Sequence, residues 1–355
     1  MSRIDRLRRA MKKIEVDSFL ITSGFNLRYF TNFTGTPGDA VAIVTMDAAY
    51  FITDFRYLEQ VAQQVHGFEV VEGRNYLQTA VDVIDKIQVN ALAFEEEYVS
   101  FADYSFLEDE ITDSGLVPIS GILETLREIK DEDELAKIKK ACKIADQGFD
   151  HMLEVIKAGM TEIEVANQLD FYMRSLGASG VSFETIVASG KRSSMPHGVA
   201  SSKVIEKGDL VTLDFGCYYE GYTSDITRTI AVGDPGDKMK EIYQIVLAAN
   251  LKVIEAASAG LTGIELDAVA RDYIAACGYG EAFGHSTGHG IGLDIHEGPN
   301  ISVRADKVLV AGNVITDEPG IYLTDIGGVR IEDDLLIQKA GNELLTHAPK
   351  ELIIL

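Results

Sequence analysis

The chain has 355 residues, 46% apolar and 25% charged, with a formal net charge of −24. That length suffices for two domains with separate cores, and the acidity disfavours nucleic acid and anionic membrane as partners. No apolar run approaches the roughly 18 residues of a membrane span, and the start, MSRIDRLRRAMKKIEVD, lacks the apolar segment of a secretory signal. The expected location is therefore cytoplasmic.

In chain order, Ile4, Leu7, Met11 and Ile14 recur at helical spacing. Short β-rich runs follow at 18–22 (SFLIT), 40–45 (AVAIVT) and 50–53 (YFIT), with a helix expected over 26–33. A strand at 68–71, a helix over 76–87 and a strand at 91–94 continue the alternation. Residues 1–125 thus read as an α/β domain with a substantially parallel sheet. Asp54, Arg56 and Tyr57 in TDFRY read as a structural ion pair or turn. Asp131 with Glu134 three residues on forms a capping box for a long helix whose apolar stripe is Leu135, Ile138, Cys142, Ala145, Phe149 and Met152. The second domain is placed at 126–355. Cys142, Cys217 and Cys277 are too few and too scattered for a disulfide framework or thiolate zinc site, and read as core residues.

The second domain is internally duplicated. AGMTEIEV at 158–165 matches AGLTGIEL at 259–266 with an offset of 101 (259 − 158). GDLVTLDFG at 208–216 matches GNVITDEPG at 312–320 with an offset of 104 (312 − 208). Each repeat is expected to run long helix, turn, helix, hairpin, and a pseudo-twofold axis would bring both hairpins into one sheet. A two-residue turn at Tyr219-Glu220 would set Asp214 opposite Asp225, and Glu318 and Glu332 are centred on residue 325. Opposed side chains on neighbouring strands lie about 5 Å apart, close enough to share a cation.

Four acids converging on a buried centre repel unless cations neutralise them. His289 is a fifth candidate ligand, in GHSTGHGIGLDIHE with His285 and His296, and His197 lies in SSMPHG. An oxygen-rich, thiolate-free set favours Mn²⁺, with Co²⁺, Fe²⁺ and Zn²⁺ compatible. Five ligands suit two ions rather than one.

TLDFG with Asp225 eleven residues after Asp214, HSTGHGIGLDIHE, EPGIY and GVRIEDD together resemble the pita-bread metallopeptidases, the family of methionine aminopeptidase, aminopeptidase P and prolidase. The resemblance implies an α+β pita-bread domain after a creatinase-type α/β domain, with Asp214 and Asp225 on one metal ion, His289 and Glu318 on the other, and Asp225 and Glu332 bridging. It further implies that His197, His285, His296 and Arg330 contact substrate or stabilise the transition state. Arg330 and the first domain imply the Xaa-Pro branch: a dipeptidase or aminopeptidase acting on small peptides with proline second, by attack of a metal-bridging hydroxide with Glu318 relaying the proton. A homodimer is implied by the same resemblance. Asp317 stands where many relatives carry an apolar residue, and on a strand it would face away from the metal. A catalytically silent peptide-binding member of the fold is the alternative, and the complete ligand set argues against it.

Overall fold

The computed structural model describes all 355 residues, which divide into two compact units, Met1–Arg127 and Glu128–Leu355. In the first, elements run α1 (Arg3–Lys13), β1 (Ser18–Ile21), α2 (Gly24–Thr31), β2 (Ala40–Thr45), β3 (Ala49–Thr53), α3 (Leu58–Gln64), β4 (Glu69–Glu72), α4 (Tyr76–Ile87), β5 (Ala91–Glu95), α5 (Phe101–Glu110), β6 (Gly115–Ile119) and α6 (Ile122–Arg127). Ser2 and Asp5 form a capping box for α1, which buries Leu7 and Met11.

The six strands form one sheet in the order β4-β3-β2-β1-β5-β6. It is mixed rather than substantially parallel: β1, β2 and β3 form an antiparallel meander, and the outer pairs are parallel. The reason is local. Thr45 Oγ1 accepts from the Asp47 and Ala48 amides and closes a tight turn between β2 and β3, and so short a link can only reverse the chain. Arg56 binds both Asp54 oxygens at 2.9 and 3.0 Å, and the Tyr76 hydroxyl donates to Asp54 at 2.8 Å, so TDFRY is a structural ion pair.

In the second unit, the first repeat comprises α7 (Glu132–Val155), α8 (Glu162–Ser175), β7 (Gly180–Val181), β8 (Ile186–Ser189), β9 (Asp209–Phe215), β10 (Cys217–Tyr219), β11 (Tyr222–Thr223) and β12 (Ile226–Val232). The second comprises α9 (Asp237–Ala256), α10 (Gly263–Ala276), β13 (Gly288–Gly290), β14 (Glu297–Ile301), β15 (Val314–Asp317), β16 (Gly320–Leu323), β17 (Gly327–Arg330), β18 (Asp333–Ile337) and β19 (Asn342–Leu344). Asp131 and Glu134 box the start of α7, and Thr161–Glu164 and Thr262–Glu265 box α8 and α10 identically.

The duplication is visible in the backbone. Thr161 bridges Val204 and Thr262 bridges Val308, while the Gly159 amide donates to Ile205 and the Gly260 amide to Leu309. Each half has its own core. Ile144, Phe149, Leu169 and Met173 pack on Leu213 and Phe215, and Ile242, Val246, Leu266 and Ile274 pack on Ile315 and Leu335. Cys142 and Cys217 are core residues as expected, but Cys277 just past α10 is exposed.

Two further expectations change. The hairpins do not merge into one sheet: β12-β9-β8 and β14-β13-β15-β18-β19 are separate ladders, and the Glu332 amide bonds the Thr227 carbonyl at 3.0 Å across their meeting line. The first hairpin also turns one residue later than expected. Tyr219 pairs Tyr222, and Glu220 and Gly221 both take positive φ (48° and 84°), the turn a tight hairpin prefers. That register sets Asp214 opposite Thr227 rather than Asp225, and leaves Asp225 in the break between β11 and β12.

Candidate metal centre

The break is built around Gly216. A Cβ there would lie 1.9 Å from the Ser224 carbonyl and 2.4 Å from Ser182 Oγ, so only glycine lets the strands pinch where Asp225 leaves the ladder. In the second hairpin, Asp317 pairs Asp333 and Gly320 pairs Arg330, placing Glu318 and Glu332 in the gap between two ladders of one register. Asp225, Glu318 and Glu332 therefore stand at interruptions, where a side chain is freed from the strict alternation of a strand, while Asp214 stays within β9 opposite Thr227.

Asp225, His289 and Glu332 each offer a ligand atom within 4.8 Å of one another. His289 Nε2 is 3.7 Å from Asp225 Oδ2 and 3.5 Å from Glu318 Oε1. Its Nδ1 faces the Gly290 carbonyl at 3.1 Å, which leaves Nε2 as the atom turned to the acids. Asp214 is held by Arg330 Nη2 at 2.5 Å. Arg330 Nε donates to Thr227 Oγ1 at 3.1 Å, Nη1 reaches the Tyr322 hydroxyl at 2.7 Å, and Thr227 Oγ1 donates to Glu332 Oε2 at 2.6 Å.

His285 joins the same cluster, with Nε2 2.8 Å from the Tyr322 hydroxyl and Nδ1 3.9 Å from Glu318 Oε2. The His296 ring packs edge-on to His289 at 4.5 Å, on the exposed rim. His197 follows the short helical turn Gly190–Ser194, whose Ser193 hydroxyl accepts the Gly328 amide of β17 at 2.8 Å. Asp317 is buried away from the cluster, its Oδ2 accepting from Asn250 on α9 at 3.1 Å.

The electrostatics follow from burying so many acids together. Burial, then the charges of Glu332 and Asp214, hold the Asp225 carboxyl well above its usual range. Burial, then Glu318 and Asp214, do the same to Glu332. Glu318 is pushed up to about 8 by burial, against the pull of Arg330. Burial lowers both His285 and His289 to about 4, so their imidazoles are neutral at pH 7 and free to act as ligands or acceptors.

Asp225 Oδ1 is buried without a hydrogen-bond partner, the position a divalent cation satisfies. Neutral imidazole, four carboxylates and no thiolate fit a hard or borderline divalent ion.

Sequence reasoning passed over three supporting residues. Thr227 and Tyr322 look like ordinary strand residues, and Arg228 like a surface arginine. Arg228 is instead fully buried, donating to the carbonyls of Thr227, Glu332 and Ala348 and to Asp333 Oδ1 at 2.8 Å. Lys350 closes on Asp333 Oδ2 at 2.6 Å. Burial raises the Asp333 carboxyl, but Arg228 and Lys350 outweigh it and keep the group below its usual range. A basic residue inside a β-branched run (ITRTIAV) was the one available signal.

An acid-rich, thiolate-free centre gripped by both halves of a duplicated α+β unit defines a divalent-metal hydrolase. Residues 136–339 match metallopeptidase family M24, and residues 3–129 match the creatinase/prolidase N-terminal domain. The chain is 51% identical to the structure of a Xaa-Pro dipeptidase from Bacillus anthracis (TM-score 0.97, 99% of each chain covered). It is 41% identical to that of an X-Pro aminopeptidase from Thermotoga maritima (TM-score 0.92, 100% of each chain). It is 40% identical over 346 residues to a Xaa-Pro dipeptidase of Pyrococcus horikoshii, covering 97% of this chain and 96% of the relative. The chain belongs to metallopeptidase family M24, a family dependent on pairs of divalent metal ions, and combines a creatinase-type N-terminal domain with a pita-bread C-terminal domain.

Proposed function

We propose that this metallopeptidase is a Xaa-Pro dipeptidase, hydrolysing the bond between a first residue and a following proline. The observation that carries the reading is the convergence of Asp225, His289 and Glu332 beside an Arg330 locked onto Asp214, in a chain similar along its whole length to Xaa-Pro dipeptidases.

Asp214 and Asp225 would hold one cation and His289 and Glu318 the other, with Asp225 and Glu332 shared; Mn²⁺ is the proposed metal, on the chemistry of the donor set. When bound, two such ions supply Lewis acidity and water acidic enough to attack a peptide carbonyl near neutral pH. Glu318 takes up the proton of the attacking water on a carboxylate oxygen and returns it to the departing proline nitrogen. His296 on the rim donates to the carbonyl oxygen as it gains charge, while His285, its Nδ1 at the Ser286 carbonyl and its Nε2 at the Tyr322 hydroxyl, fixes that hydroxyl beside the site. His197 binds the leaving-group side. Proline at the second position brings no amide hydrogen, so the site needs no acceptor there.

A second reading, an aminopeptidase that accepts longer peptides, is favoured by the likeness to the Thermotoga maritima enzyme. Mn²⁺-loaded protein assayed on Ala-Pro, Ala-Pro-Ala and Ala-Ala decides. Cleavage of Ala-Pro with Ala-Pro-Ala spared supports the dipeptidase, cleavage of both supports the aminopeptidase, and cleavage of neither removes both.

A cytoplasmic location and a homodimer complete the proposal. The first is supported by the exposed unpaired thiol of Cys277, which suits a reducing compartment. The second is supported by the family resemblance and is checked by sedimentation. No helix is long and apolar enough to cross a membrane.

A further inference from the structure

Helix α10 carries a buried acid–base pair that touches none of the five proposed ligands. Asp267 is 1% exposed, and Arg271, one turn later, grips it with both arms: Nε to Oδ2 at 2.6 Å and Nη2 to Oδ1 at 2.8 Å. Neither residue spends its remaining capacity on the helix. Asp267 Oδ1 also accepts from the Thr287 amide at 3.2 Å and the Thr287 hydroxyl at 2.8 Å. Arg271 donates to the Phe283 carbonyl at 3.1 Å and the His285 carbonyl at 2.8 Å, and its guanidinium stacks 4.5 Å from the Phe283 ring. Phe283 in turn meets the His285 ring edge-on at 5.1 Å. The hydrogen bonds that tie the segment 283–287 to α10 thus pass through these two side chains.

What the segment holds is the chemistry. His285 extends from it to Tyr322, and the Thr287 carbonyl accepts the Glu318 amide at 2.8 Å. One fork on α10 therefore sets both the His285 backbone and, one bond further on, the backbone of Glu318. The pair is not common to the two repeats. At the repeat offset of 101, Asp267 and Arg271 correspond to Ala166 and Asp170 on α8, which cannot form it (267 − 101 and 271 − 101). The first repeat ties its own His197 loop differently, through Glu162 to Ser189, Arg192 and Ser201.

We propose that Asp267 and Arg271 are positioning residues of the reaction: the fork fixes His285 and the Glu318 backbone in the geometry that turnover requires. The activity arm of the test rests on the Xaa-Pro reading; a spectroscopic arm does not. The variants are Arg271→Met and, to avoid a lone buried carboxylate, the charge-neutral Asp267→Asn/Arg271→Met, each with and without His285→Ala. On Mn²⁺-loaded protein and Ala-Pro, kcat is expected to fall about 10- to 100-fold, with KM and Mn²⁺ affinity within about twofold. Because the fork acts in part through His285, adding His285→Ala to the charge-neutral variant should cost less than the sum of the two separate losses. In metal-free protein, the ¹⁵N imidazole signals of His285 should shift or broaden in the charge-neutral variant, while those of His151 and His347 stay in place.

Fully additive losses would overturn the proposal, as would unmoved His285 signals in a folded charge-neutral variant. Failure of both fork variants to fold would also overturn it, by making the pair a stability element. If wild-type protein leaves Ala-Pro intact, the Xaa-Pro reading falls while the imidazole signals still decide the fork.

Discussion

Thr227 is one of the residues through which the two repeats touch chemically. Its hydroxyl accepts from Arg330 and donates to Glu332, and its carbonyl accepts the Glu332 amide, so one small side chain orients two residues from the other repeat. Thr227→Val keeps shape and β propensity but removes the hydroxyl. It should lower metal affinity or turnover about 10- to 100-fold while the fold persists, read by calorimetric Mn²⁺ titration beside circular dichroism. The acids make a second residue-scale prediction. In metal-free protein Asp225, Glu332 and Glu318 retain protons to higher pH than ordinary carboxylates. Cations must displace those protons, so Mn²⁺ binding near pH 7 should release protons and tighten as pH rises. Titration in two buffers of different ionisation enthalpy measures the release; pH-independent affinity would contradict the shifts. Asp214, Asp225, Glu318 and Glu332 stand out in the sequence as candidates because a duplication has no reason to keep acids at matched places for solvent alone. Thr227, Tyr322, Arg228 and Asp267 do not, since each acts through contacts to residues remote along the chain that their local patterns do not encode.

At the scale of elements, regular structure was readable and its interruptions were not. The helix over 76–87 and the capping box of α7 follow from propensity and spacing alone. The register of the first hairpin does not, because it depends on Glu220 accepting a left-handed conformation beside Gly221. The meander in the first unit was missed for a similar reason, as alternating strands and helices do not reveal that β2 and β3 are joined by a tight turn. Gly216 tests whether the interruption matters. Gly216→Ala puts a methyl into the Ser224 carbonyl, and the strands must part at Asp225. Mn²⁺ binding should fall at least as far as in Thr227→Val, whereas Gly121→Ala, a control at a turn in the first unit with open space around its Cβ, should leave metal binding intact.

For the whole molecule, metal is expected to act as a stabiliser as well as a reagent. A carboxyl whose folded pKa is raised contributes stability that is complete below its unfolded value and is lost as pH rises through the folded one. For Glu318 that window runs from 4.5 to about 8, with Asp225 and Glu332 shifted in the same direction. Metal-free protein should therefore lose thermal stability between about pH 4.5 and 8. Saturating Mn²⁺ should oppose the loss, adding about 2.7 kcal/mol at a free concentration 100 times the dissociation constant. Thermal melts with and without chelator across that range check the sign; equal slopes would mean the acids are not neutralised by metal.

On the proposed function, the two halves of the duplicated unit together hold a pair of ions that hydrolyses Xaa-Pro bonds. Titrating metal-free protein with Mn²⁺ while following Ala-Pro hydrolysis tests it most directly. The expected result is activity that rises until two equivalents per chain are bound and is absent in Asp225→Asn; full activity at one equivalent, or unchanged activity in Asp225→Asn, would contradict it.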